Sequence, residues 1–404
     1  PMFNSNRAAI QASGMVGEND TWGGEGIVSG VYNKLSMSAG YSHFETDGWY
    51  KNADQEDDIA NIFAQYEISY KTSIQGEYRY RDTDRGDVTT KFFEENTLPF
   101  FREEDKTKIA RLGFRHSFTP GSVLIGNFQY GDQDIDKSDL FFFDSADFGL
   151  PPPPVEDYTE DSGDTESYSG ELSYLHRSSR IDLIGGAGVF RIERDIDFTD
   201  SLFWPGVDPP LSFGTFPSSL RADIDHYNIY LYTNLKPLNN VTLTLGASGD
   251  FYDSDDKDVN EQDYDQDQFN PKLGVVWEPL PGTTIRGAAF RTLKRTLITD
   301  QTLEPTQVAG FNQFFDDVDA TEAWVYGGAI DQKITSSVYA GAQLSYRDME
   351  VPYTTGFEDT TKYREADWEE YLGRAYLYWT PHKWLSLSAE YGYEDYEYAD
   401  EVNL

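Results

Sequence analysis

Carboxylates give this chain its densest capacity for chemistry. From Asp253 to Asp267 the sequence carries Asp253, Asp255, Asp256, Asp258, Glu261, Asp263, Asp265 and Asp267. Oxygen ligands at that density suit a hard cation such as Ca²⁺, and Asp253, Asp255, Asp256, Asp258, Asp263 and Asp265 are the candidate ligands. An EF-hand loop would place Gly at its sixth position and Glu at its twelfth, which this stretch does not. A solvated acidic loop accounts for the same residues without a metal.

A second set consists of charges at alternate positions in strand-like runs: Glu77, Arg79, Arg81, Arg111, Arg115, Glu171, Arg191, Glu193, Arg286, Arg291, Arg347, Arg374, Glu390 and Glu394. Facing a common lumen, they would tune the selectivity of a water-filled passage or hold a plug. Pairing across neighbouring strands, they would stiffen a wall instead. A third feature is Pro151 to Pro154, preceded by Phe141 to Phe143. This is a stiff polyproline segment with an aromatic anchor, suited to a partner contact, an inward constriction or a packed surface loop.

Catalysis has thin support, and the expectation is that the chain is not an enzyme. There is no cysteine, so thiolate metal sites, disulfides and thiol nucleophiles are excluded together. The five histidines are His43, His116, His176, His226 and His382, and three of them fall beside short turns. None joins a Ser and an acid in a defensible triad, and no metalloprotease pattern occurs. No cofactor is implied.

The elements that must position these residues are strands. Hydrophobic content is 38%, mean hydropathy is −0.60, and no apolar run is long enough for a helical membrane span. The formal charge of −39 makes nucleic acid a poor partner, because phosphate would be repelled. Yet aromatics reach 15%, and 34 glycines are scattered through strand-like stretches, which membrane barrel walls tolerate better than soluble strands do.

Period-two alternation recurs throughout. Leu385, Leu387, Ala389, Tyr391 and Tyr393 lie on one face, with Ser386, Ser388, Glu390, Gly392 and Glu394 on the other. Val338 to Arg347 and Val241 to Phe251 divide in the same way. Gln75, Glu77, Arg79 and Arg81 place four polar groups in succession on one face, which a dry sandwich core could not accept but water could.

Short turns at Asn33-Lys34, Lys71-Thr72, Thr119 to Ser122, Arg177 to Arg180, Pro237 to Asn240, Pro279 to Gly282, Thr335 to Ser337 and Pro381 to Lys383 join pairs of such runs. Long, mostly acidic segments over 44–58, 82–106, 137–166, 197–221, 253–267, 296–320 and 349–368 separate the pairs. Short turns on one side and long loops on the other is the asymmetry of outer-membrane barrels. About seventeen strands of roughly 10 residues are expected, the length that crosses hydrocarbon when tilted. Aromatics near strand ends, such as Trp277, Tyr376, Tyr378, Trp379 and Trp384, sit where interfacial girdles belong.

The fold class expected is therefore all-β, a transmembrane antiparallel up-and-down barrel with short periplasmic turns and long extracellular loops. The odd strand count leaves the first run, Arg7 to Val16, without a partner across a short turn. Residues 1–404 read as one barrel domain, incomplete at both ends and without a plug domain of its own.

The segment Phe269 to Phe315 reads FNPKLGVVWEPLPGTTIRGAAFRTLKRTLITDQTLEPTQVAGFNQFF. It resembles the barrel of TonB-dependent receptors, in which a strand opening with Asn-Pro-Lys precedes a hairpin, an Arg-bearing strand and a loop with Leu-x-Pro-Glu. Asn270, Pro271 and Lys272 match the opening; Leu303, Glu304 and Pro305 match with Glu and Pro exchanged. Thr292 to Arg295 and Gln301 to Phe315 are also similar to the variant that follows a periplasmic tetratricopeptide-repeat region.

The resemblance implies a barrel of about 22 strands in the bacterial outer membrane, passing a solute or polymer. The alternative is a structural or interaction barrel with a closed lumen whose acidic loops bind a surface partner. Partners implied are outer-membrane lipid and lipopolysaccharide, an upstream periplasmic repeat or plug domain, and an extracellular ligand of the acidic loops. Energised uptake does not carry over, since neither a plug nor a TonB-contacting segment is in the sequence.

Overall fold

A computed structural model describes residues 5–88, 96–256, 262–295, 301–355 and 362–398. The chain runs as β1 Arg7–Val16, β2 Trp22–Tyr32, β3 Leu35–Thr46, β4 Gln55–Ser69, β5 Thr72–Arg85, β6 Arg102–Thr119 and β7 Ser122–Phe143. Next come β8 Val155–Arg177, β9 Ile181–Trp204, β10 Leu211–Leu238, β11 Val241–Asp256, β12 Gln262–Leu280 and β13 Thr283–Leu293. Two short strands, β14 Gln307–Val308 and β15 Phe311–Asn312, precede β16 Glu322–Lys333, β17 Val338–Thr355, β18 Lys362–His382 and β19 Leu385–Tyr398. All but β14 and β15 form one 17-stranded sheet in which each strand pairs antiparallel with the next in sequence. No ladder joins β19 to β1 among the described residues, so the wall is an open up-and-down meander.

The two faces meet different solvents. On β10, Tyr227, Ile229 and Leu231 point outward at 50, 61 and 50% exposure, while Asn228, Tyr230 and Tyr232 point inward at 3% or less. The outward row repeats as Leu112, Leu172, Val189, Leu245, Leu273 and Leu344. Each such side chain left in water forgoes about 1.5–3 kcal/mol of burial, so a continuous band of them needs an apolar surrounding.

Aromatic belts bound the band. Tyr66, Phe118, Trp277 and Trp384 lie near the short turns, and Tyr41, Phe128, Tyr227, Phe269 and Tyr371 lie toward the other end. Just beyond the second belt a carboxylate often follows two residues from a tyrosine and accepts its hydroxyl proton. Examples are Tyr80 to Asp82 at 2.8 Å, Tyr168 to Glu166 at 2.9 Å and Tyr371 to Glu369 at 2.9 Å. The phenol ring thus sits in hydrocarbon and its tip in the headgroup layer.

The short turns fall where expected, but the long loops are shorter than their composition suggested. β7 and β8 run to Phe143 and from Val155, and β9 and β10 are separated only by residues 205–210. β10 is 28 residues long, far beyond what hydrocarbon requires. The acidic segments lack apolar alternation because water bathes both of their faces. They still pair, since register is already set inside the membrane and each added residue gains ladder hydrogen bonds at little extra closure cost. The first run, β1, pairs along its whole length with β2 across residues 17–21, at the long-loop end of the wall.

Asp253 to Asp267 is therefore mostly strand. Asp253 opposes Asp265 and Asp255 opposes Asp263 across β11 and β12, Asp256 opposes Gln262, and Asp258 lies outside the described residues. The polyproline stretch is held against the end of β9, where Trp204 Nε1 donates to the carbonyls of Pro151 and Pro153 at 3.1 and 3.0 Å.

Candidate functional site

One connection stays long. Between β13 and β16, residues 301–321 turn back onto the inner face of the wall, and they carry a single acid between Gln301 and Phe315. The turn of the β14–β15 hairpin is Ala309-Gly310, with φ of 50° and 89°. Gly310 suits the turn because its φ is left-handed, and a Cβ there would also displace the tip of Arg286. Gly327 on β16 leaves room for the Phe311 ring, which a Cβ would strike. Val308 and Phe311 pack into the larger of two apolar clusters among the described residues, with Tyr230, Tyr232, Phe290, Val325 and Met349.

Two buried arginines latch this segment. Arg295, 2% exposed, lies 3.0 Å from Glu304 and 3.7 Å from Asp250, and stacks over Phe190 and Phe314 at 5.3 and 4.9 Å. Glu304 also accepts from Tyr232 Oη at 2.6 Å and Asn228 Nδ2 at 2.9 Å. Arg347, also 2% exposed, pairs with Asp317 of the loop and with Glu370 of β18 at 2.7 Å, with the Phe315 ring 3.7 Å from its guanidinium.

Further along, Glu171 of β8 accepts from Thr302 Oγ1 at 2.5 Å and from the Leu303 amide at 3.0 Å. Arg286 donates to Asp331 at 2.9 Å and to the Gly310 carbonyl at 3.3 Å. Beneath Arg295, Asp250 accepts from Asn270 at 2.7 Å and contacts His226 Nε2 at 3.1 Å. Charges buried this deeply persist only when paired. The loop and the wall therefore complete each other.

The fourteen alternating charges do not all face inward. Register places Glu77, Arg79, Arg81, Arg111, Arg115, Glu171, Arg286, Arg347, Arg374, Glu390 and Glu394 on the inner face. Arg191 opposes the outward Tyr168, and Glu193 continues that row, so both point outside. Arg291 opposes the outward Trp324 and pairs with Glu322. The alternation was correct in period but wrong in phase at these positions: Phe190, Ile192 and Phe290 take the inner side because the loop covers them with apolar surface.

Of the inner charges, Arg81 bonds Asp57 at 2.9 Å, Arg111 lies 3.3 Å from Glu77, and Arg374 bonds Glu390 at 2.7 Å. Arg79 and Arg115 have no ion-pair partner among the described residues. Arg115 borders a cavity of about 390 Å³ between the wall of β4 to β7 and the loop tip Gln301 to Leu303, lined by Gln65, Ser73, Gln75 and Asn127.

Asp250, Asp317 and Glu370 were not singled out from sequence; Arg295 and Glu304 entered only through the family resemblance, and His226 only among the histidines weighed for catalysis. The available signal was the composition of 301–315, which holds four amides and three phenylalanines and a single acid, Glu304.

An antiparallel wall that is greasy outside and polar inside, with a connection folded into its lumen, defines an outer-membrane β-barrel. A family model described as TonB dependent receptor-like, beta-barrel, matches residues 21–311, more than half of the chain. The chain belongs to that family and is a protein of the Gram-negative outer membrane, in contact with its lipid.

Solved structures share the fold. The copper transporter OprC superposes with a TM-score of 0.72 at 11% identity, covering 98% of this chain and 62% of that one. The siderophore receptor PiuA from Acinetobacter baumannii gives 0.71 at 11% identity, covering 98% and 64%. The ferric citrate transporter FecA gives 0.65 at 12% identity, covering 97% and 59%. The chain thus spans less than two thirds of the length of these structures. No curated protein sequence matches it.

Substituting Gly310 by Val is expected to cost about 1–3 kcal/mol through the positive φ alone, read as a lower unfolding midpoint in detergent. An unchanged midpoint would show that the hairpin turn relaxes without loss.

Proposed function

We propose that this barrel passes a solute across the outer membrane, and that the 301–321 segment sets the free cross-section of its lumen. The observation that carries this reading is the double latch of Arg295 and Arg347, which holds a folded connection against the inner wall rather than outside it. A purely structural wall has no need of buried charge at that place. The structural relatives include proteins titled as copper, siderophore and ferric citrate transporters, which supports a metal or metal chelate as the class of solute. The inner face near Arg79 and Arg115 offers amides and two cations without an ion-pair partner among the described residues, a surface that suits an anionic or polar complex.

A second reading has its own observation. At the long-loop end Phe148 packs 6.4 Å from Phe143 and 5.5 Å from Phe213, and these rings are 38–43% exposed. An aromatic patch beyond the membrane favours docking of a surface partner.

Planar-bilayer recording separates the two. Replacing residues 301–313 with a short Gly/Ser linker is expected to raise conductance several-fold over the unaltered protein. No current from either form would rule out a passage and leave the docking role.

A further inference from the structure

A cluster unconnected with the lumen lies on the outward face of β2, β3 and β4, just past the outer aromatic belt. In the β3–β4 ladder His43 stands directly opposite Asp58, and Glu45 directly opposite Glu56 one row further out. All four share the face of Tyr41 and Ile62, which are 53 and 61% exposed, because ladder partners project to the same side. His43 Nδ1 is 2.8 Å from Asp58 Oδ1, and Tyr41 Oη donates to that same oxygen at 2.5 Å. The imidazole packs on Trp22 with centroids 4.3 Å apart, and Trp22 Nε1 donates to Glu45 at 2.8 Å. One ligating atom from each of His43, Glu56 and Asp58 falls within 4.8 Å of the other two.

Two features are left unexplained by a merely solvated cluster. His43 Nε2 is buried without a hydrogen-bond partner and faces the Glu45 carboxylate at 3.8 Å. In the neutral ring whose Nδ1 proton is directed to Asp58, the Nε2 lone pair points at oxygen lone pairs. Glu45 and Glu56 are also like charges directly opposite on one face, a destabilising arrangement. Among the described residues no Lys or Arg forms an ion pair with any of the four. A cation in their midst removes both conflicts.

We propose that His43, Glu56 and Asp58, flanked by Glu45, bind one divalent transition-metal cation on the outer surface of the wall. One imidazole with two carboxylates favours Zn²⁺ or Cu²⁺ over Ca²⁺ and Mg²⁺, which prefer all-oxygen shells. Three protein ligands leave a position for water. Tyr41 and Trp22 hold the carboxylates and the ring in place, the role that outer hydrogen-bond partners take at metal sites. The remaining histidines do not compete: His226 is buried beneath the lumenal loop, and His116, His176 and His382 lie close to the short turns.

Cu²⁺ is the probe, added to the detergent-purified protein and followed by electron paramagnetic resonance. The expected result is a saturable signal at one equivalent, coupled to a single imidazole nitrogen. His43→Gln should abolish the coupling, and Asp58→Asn should weaken binding roughly 10-fold or more. His382→Gln should change neither. Persistence of the nitrogen coupling in His43→Gln would overturn the site, as would a wild-type signal from oxygen ligands only that rises without saturating. If His43→Gln fails to fold, Glu56→Gln at an exposed strand position decides: unchanged affinity there rejects the proposal.

Discussion

Glu304→Ala is expected to destabilise the protein by about 3–5 kcal/mol, because it leaves the guanidinium of Arg295 buried with its nearest counter-charge gone. The same change strands Tyr232 Oη and Asn228 Nδ2, both of which donate to Glu304. Asp250 remains 3.7 Å from Arg295 and limits the loss, so the lower half of that range is the better expectation. Local opening should exceed global unfolding. Amides between Leu303 and Gln313 should lose hydrogen-exchange protection while the ladder of β16 and β17 keeps its own. The double variant Glu304→Ala with Arg295→Met should recover part of the stability, since it removes the orphaned charge and keeps most of the volume. Full protection of the loop in Glu304→Ala would mean that apolar packing of Val308 and Phe311, not the ion pair, holds it down.

Leu273→Arg is expected to cost about 2–4 kcal/mol in lipid. Leu273 points outward at 54% exposure and sits four residues from each of two belt aromatics, Phe269 and Trp277, near the middle of the apolar band. There an arginine has neither water nor a counter-ion, and its reach to either headgroup layer is longest. Gln75→Arg is the matched control. Gln75 faces the 390 Å³ lumenal cavity, so the same charge should shift stability by only about 0.5 kcal/mol. Reversible unfolding from phospholipid vesicles measures both. Equal costs at the two positions would contradict a lipid-facing exterior. The contrast tests the phase of alternation directly, since a one-residue slip exchanges the two outcomes.

Much of the architecture was legible because a membrane imposes a simple code. Each wall strand must show hydrocarbon one face and the lumen the other, so Leu385 to Glu394 or Gln75 to Arg81 reveal strand, length and face without reference to any neighbour. Turn positions were equally local: Asn33, with φ of 54°, and Gly282, with φ of 85°, are residue types that accept the left-handed conformation where the chain reverses. The resemblance carried by Phe269 to Phe315 lies in this wall and in the connection that follows it.

What failed lay outside the reach of that code. Above the membrane both faces are wet, so Asp253 and Asp265 carry no periodic signal, and their pairing follows from register set farther down the strands. Arg191, Glu193 and Arg291 were assigned the wrong face because a covering loop can make an inner position apolar, as Phe190, Ile192 and Phe290 show.

By itself, then, the sequence determined the strand rhythm, the membrane environment and the two-sided chemistry of the wall, since each depends on residues close together in the chain. Only the tertiary structure decided which connection enters the lumen and which charges meet there. Arg295 finds Asp250, and Arg347 finds Asp317 and Glu370, across separations that no local pattern encodes. Their pairing is enforced by desolvation, which acts only once the wall has curved around them.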